Sequence, residues 1–157
     1  MSVSTTGHSP AGRGAALLTA LFAALCCGSC VTPRLSVAAD TDPAAWHETA
    51  EMTLRNDDTL ARRDLDLFLR CNDRFGEDTL TVHITLLTPD SLRFGEPFLL
   101  TLRHDRRTAA LASEAVIPYR RRVRFGRTGD YRIRITPARP VRGVESVGIH
   151  IKTSEQN

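Results

Sequence analysis

The chain has 157 residues, 41% of them hydrophobic and 25% charged, with a formal net charge of +3. Without its leader, that length suffices for one domain of common size and not for two. A nucleic-acid role would need basic residues gathered on one face beside a groove-reading element, and an export signal at the start of the chain argues against it.

The first readable stretch is Gly14 to Cys30, GAALLTALFAALCCGSC. It follows Arg13 and holds an apolar run from Ala15 to Cys27, closed by Gly28 and Ser29 ahead of Cys30. A positive start, an apolar core and small residues before a cysteine are the layout of a lipoprotein signal, in which the thiol takes a diacylglycerol before the leader is cut. Small side chains at Gly28 and Ser29 let the peptidase reach extended backbone, whereas Leu25 spoils the same reading at Cys26 and Cys27. The run is too short for a spanning helix, which needs about 20 apolar residues. With Thr19 as its one polar residue, it also lacks the polar face of a core helix.

The expectation is a removed signal peptide over 1–29, a lipidated tether over 30–45, a folded domain over 46–152 and a disordered tail over 153–157. Cys30 is the lipidated residue, so the chain is held in a lipid bilayer of the cell envelope. Processing leaves Cys71 with no partner, which excludes an intrachain disulfide and a CxxC metal knuckle. From Val31 to Pro43 the residues are small, polar or Pro, which reads as the tether.

Beyond Trp46 the dominant period is two. Leu65, Leu67 and Leu69 form one apolar stripe, and Leu80, Val82, Ile84 and Leu86 form a second. Phe98, Leu100 and Leu102 follow, then Tyr131, Ile133 and Ile135, and finally Val147, Ile149 and Ile151. These read as half-buried strands. Glu48 to Arg55 and Ala115 to Phe125 are weaker candidates, and Arg106 to Ser113 is the best place for a short helix. Turn chemistry stands between the stripes at Asn72-Asp73, Phe75-Gly76, Pro89-Asp90, Gly95, Arg127 to Gly129 and Pro137 to Gly143. Short strands with frequent turns predict an all-β fold, a single antiparallel β-sandwich of about 7–8 strands, jelly-roll or Ig-like, because one such sheet cannot bury its apolar face alone. Arg132 and Arg134 share one outward face by the strand period, and Arg120, Arg122 and Arg124 share another.

The chain carries no GxSxG, GxxxxGK(S/T), HExxH or GxGxxG. Hydrolase, phosphate-loop, zinc and dinucleotide chemistry therefore lack their physical core. His83 and His150 sit among alternating strand residues and read as surface histidines, although a ligand pair from neighbouring strands is the sharper alternative. Asp57, Asp58, Asp64, Asp66, Asp73, Glu77 and Asp78 form a carboxylate-rich stretch that could serve hydrolysis or hold calcium only by converging in space. Cys71 has no base beside it in sequence, and Trp46 reads as a plug at the sandwich edge. No catalytic residue, no cofactor and no metal site is expected.

Several segments together resemble the gliding-motility lipoprotein GldH family of Bacteroidetes. They are the lipidation signal, AAWHETAEMTL around Trp46, LFLRCNDRF, TLTVHITLLTPDS and the closing GDYRIRITPARPVRGVESVGIHI. Gly129 to Ile135 and Gly143 to Ile151 match a Gly-aromatic strand, a hydrophilic link and a second Gly-led strand, with Val144 where the family has Ile. The likeness spans Trp46 to Ile151. It implies a lipid-anchored, non-enzymatic envelope protein that acts by protein–protein interaction with other envelope or gliding-machinery proteins. No acidic run follows Cys30, and such runs resemble the surface-export signals of some lipoproteins from these bacteria. The implied location is the outer membrane, facing the periplasm. The alternative is a glycan- or peptidoglycan-binding β-sandwich module using aromatics such as Phe75 or Tyr119. A hydrolase built on the carboxylates is the third reading, and no small-molecule substrate is identified.

Overall fold

A computed structural model describes residues 35–102 and 112–154. The chain divides into Met1–Pro33 and Arg34–Asn157, and every described residue belongs to the second unit. The expected signal peptide, Cys30 and most of the expected helix at 106–113 lie outside the described residues. Within them there are eight strands and no helix: β1 (Leu35–Asp40), β2 (Ala50–Asn56), β3 (Arg62–Asn72), β4 (Thr79–Leu87), β5 (Arg93–Thr101), β6 (Ala112–Arg124), β7 (Gly129–Pro137) and β8 (Val144–Thr153). Ala112 and Ser113, placed in the helix by sequence, open β6 and pair with Asn72 and Cys71.

The strands form two four-stranded antiparallel sheets in the orders β1-β8-β3-β6 and β2-β7-β4-β5. This strand order is the jelly roll, two interleaved Greek keys, so of the two expected sandwich topologies the chain adopts that one. The five apolar stripes line the gap between the sheets. Leu67, Leu69, Val82, Leu100, Ile135 and Val147 are wholly buried, and Ile149 and Ile151 nearly so. Each strand crosses the sandwich once. The β2–β3, β4–β5 and β6–β7 connections therefore share the end where the chain enters at Leu35, and the other connections share the far end.

Two boundaries differ from the sequence-based expectation. Leu35–Asp40, assigned to the tether, is an edge strand that pairs with β8 from Leu35↔Ile151 to Asp40↔Ser146. Its small residues hid it, yet Val37 and Ala39 pack against the core from alternate positions. At the other terminus Thr153 ends β8, and Ser154 is buried with its amide on the Arg62 carbonyl and its hydroxyl 2.5 Å from Asp64, so the assigned tail does not begin at 153.

Trp46 is 1% exposed at the far end, where it exchanges both backbone hydrogen bonds with Val141 and its ring N–H donates to the Glu48 carbonyl. Gly143 closes the same end. Its φ is +80°, and a Cβ there would lie 2.3 Å from the Phe75 nitrogen, so only glycine fits. At the entry end Tyr131 donates to the Arg127 carbonyl and accepts from the Arg127 amide, tying the β6–β7 turn to β7.

Candidate functional site

β5 and β6 are the edge strands of opposite sheets, and a cleft of about 560 Å³ opens between them. Along the inward face of β5 burial decreases steadily. Leu100 is fully buried, Phe98 and Glu96 are half-buried, and Phe94 is 58% exposed. The backbones of the two sheets come closest on the other side, at β1 and β2. Leu65, Ile84, Leu86, Val123, Phe125, Ile133 and Ile149 make the apolar walls and floor of the cleft, and Arg93, Glu96, Tyr119 and Arg120 are its polar lining.

The polar groups are placed by irregular backbone. β6 slips against β3 twice, between Arg63 and Leu65 and between Leu65 and Asp66. Such bulges insert unpaired residues and re-aim side chains. Tyr119 and Arg120 consequently both line the cleft, while Arg121 reaches the outer face to bond Asp66 at 2.6 Å. Arg122 takes the left-handed conformation, φ 55°. The expected common face of Arg120, Arg122 and Arg124 is broken by these slips, because the period of two holds only in an unbulged strand.

Glu96 gathers the polar rim. The Tyr119 hydroxyl donates to it at 2.5 Å, Arg120 forms an ion pair with it, and the Arg120 guanidinium lies 5.4 Å from the Tyr119 ring centroid. The Tyr119 and Arg120 hydrogen bonds hold the Glu96 carboxyl below its ordinary range. Burial, and then the Glu96 carboxylate, push the Tyr119 hydroxyl up to about 12. Phe98 meets the Tyr119 ring edge-on at 5.1 Å and closes the cleft toward the far end. The exposed Arg93 side chain makes no hydrogen bond or ion pair among the described residues.

The outer face of the β1-β8-β3-β6 sheet carries a second polar cluster. Ser36 Oγ lies 2.7 Å from His150 Nδ1, and His150 Nε2 lies 3.1 Å from Glu114, a line across β1, β8 and β6. The His150 ring stacks on Phe68 at 4.2 Å. Ser, His and a carboxylate are the components of a nucleophilic triad, but this line lies on an open sheet face. The backbone N–H groups of the paired strands are committed to the ladder, and among the described residues no oxyanion donors converge there. Its evident work is to fasten edge strand β1 across its neighbours. Beside it Asp66, 3% exposed, binds Arg121 and Lys152, each at 2.6 Å.

The other residues singled out by sequence fall apart in space. His83 is on β4 and His150 on β8, outward on opposite sheets, so they do not form a ligand pair. Asp57 and Asp58 sit at the entry end, Asp73, Glu77 and Asp78 at the far end, and Asp64 and Asp66 on β3. Asp58 caps the Leu60 and Ala61 amides, and Glu77 pairs with Arg139. Among the described residues no group of His, Cys, Asp and Glu could hold a metal ion. Phe75, proposed as an exposed aromatic, is 9% exposed, and among the described residues the large aromatic that does face solvent is Phe94. Arg93, Phe94 and Glu96 were missed as a site. Their signal was the sequence RFGEPF, in which charges and a Pro break an apolar stripe at one end only. Searches against protein-family models, curated proteins and solved structures find no match for the chain.

Proposed function

We propose that this protein is a lipid-anchored, non-enzymatic component of the cell envelope, resembling the gliding-motility lipoproteins, whose jelly roll works by binding in an envelope assembly. The observation that supports binding over turnover is the β5/β6 cleft. It has apolar walls, and three of its four polar side chains are spent on one another: Tyr119 donates to Glu96, Arg120 neutralises it, and among the described residues no nucleophile stands beside a free base there. Pockets of this kind recognise by shape and a few placed charges. In this reading Cys30 carries the acyl anchor and the domain faces the periplasm from the outer membrane.

The reading is tested in cells. Palmitate labelling should disappear in Cys30→Ala, and a photo-crosslinker at position 94 should capture a defined envelope partner. Labelling that survives Cys30→Ala defeats the anchor, and crosslinking that captures nothing from position 94 defeats the cleft as the binding element. The glycan alternative gains no support from the geometry, since Phe75 is buried and the Tyr119 hydroxyl is held by Glu96.

A further inference from the structure

We infer that the β5/β6 cleft is a binding site for an amphiphile with an acyl chain and an anionic head group, the chain lying between the sheets and the head at Arg93. The inference rests on the anchored reading above only for the source of the ligand, not for its chemistry.

Shape comes first. Sheets in a sandwich stand about 10 Å apart, one layer of interdigitated side chains. A gap left between two edge strands is therefore a slit, which suits a flexible chain better than a ring system. The slit holds about 560 Å³, inside the ~300–1,000 Å³ range of small-molecule sites. Ile84, Leu86, Val123 and Ile133 line it, and nothing polar among its floor residues would reward a hydroxylated ligand. Wall atoms with no partner across the gap forfeit dispersion contacts, which a methylene chain would restore.

Charge selects the head. Glu96 is already neutralised by Arg120 and hydrogen-bonded by Tyr119, so it repels an incoming anion weakly. Arg93, exposed at the mouth and unpaired among the described residues, leaves the lining with a net positive charge. A planar guanidinium with free donors matches a carboxylate or phosphate.

Position supplies the route. The cleft opens beside the β4–β5 turn, at the end where the chain enters at Leu35. At this end Leu60, Leu92 and Phe94 are 77%, 55% and 58% exposed. These apolar tips give an acyl chain a first contact at the end of the sandwich where the slit opens.

The test uses cis-parinaric acid, whose fluorescence rises in an apolar site, titrated into the purified protein. Saturable binding is expected. Arg93→Glu should weaken it about tenfold while leaving the uncharged methyl ester unaffected, and Val123→Trp should abolish binding of both. Arg93 is on the surface, so its variant remains informative if the Trp variant fails to fold. A parallel arm offers vesicles containing a fluorescent anionic phospholipid. Transfer to the protein identifies a membrane lipid as the source, whereas binding of the free acid alone identifies a fatty acid. No saturable binding of either probe, or equal binding by wild type and both variants, overturns the inference. Loss of palmitate labelling is scored separately in Cys30→Ala, so a failed anchor and an empty cleft give different results.

Discussion

Cys71 shows how environment decides what a residue can do. It is 3% exposed in β3, and burial, followed by the Glu145 carboxylate, pushes its thiol up to about 12. The thiolate needed for reaction is then nearly absent at neutral pH. Iodoacetamide should label Cys71 only after denaturant is added, and rapid labelling of the native protein would contradict this burial. Asp66 carries the opposite lesson. Burial is the largest influence on it and disfavours its charge, but the bonds from Lys152 and Arg121 prevail and hold its carboxyl below the ordinary value. The folded pKa is below the unfolded one, so the stabilisation is complete above about pH 4 and is lost as pH falls further. Asp66→Asn should cost roughly 2 kcal/mol in urea unfolding at pH 7, the scale of hydrogen bonds to a charged group. The difference from wild type should shrink in acid. A penalty that stays constant from pH 7 to pH 3 would place the effect elsewhere.

At the level of the strand, two glycines set how closely neighbouring segments approach. A Cβ on Gly148 would lie 2.3 Å from the Val37 carbonyl oxygen and 2.5 Å from the Phe68 ring, so β8 needs a bare backbone there for β1 to pair beside it. Gly143→Ala meets both a left-handed φ and the backbone at Arg74 and Phe75. It should destabilise by about 3 kcal/mol or more, read from the urea midpoint. A loss under 1 kcal/mol would show that the β7–β8 link can shift away. Strand β1 gives the sharpest comparison of sequence with structure. The stripes of β3, β4, β5, β7 and β8 were legible because apolar residues alternate under the pull of a common core. LSVAAD was not, because an edge strand buries only Val37 and Ala39 in part and its neighbouring Pro and polar residues resemble a linker. Deleting Leu35–Asp40 should therefore unfold or aggregate the domain, as seen by circular dichroism and size exclusion. A freely dispensable tether would leave the unfolding midpoint unchanged.

For the molecule as a whole, the chain's alternation was enough to read a sandwich, but the order of its strands was not. Which sheet each strand joins depends on pairings such as β1 with β8 that no local pattern encodes. The cleft was equally hidden, since it is made where bulges in β6 defeat the period of two that made the rest readable. Pairings so distant in sequence must wait until most of the chain is placed, and refolding should take milliseconds to seconds, measured by stopped-flow fluorescence of Trp46. Trp46 suits this use because it is buried only when the far end closes on Val141. A phase complete in microseconds would mean that local hairpins carry the fold.

The pairing of β1 with β8 has a mechanical meaning as well. Any pull delivered through the chain ahead of Leu35, against a body held at its far end, runs along the strand and loads the six register pairs from Leu35↔Ile151 to Asp40↔Ser146 together, in shear. Bonds sharing a load in parallel yield at higher force than bonds opened one after another. The segment that reads in sequence as slack rope is the clamp through which tension enters the sandwich.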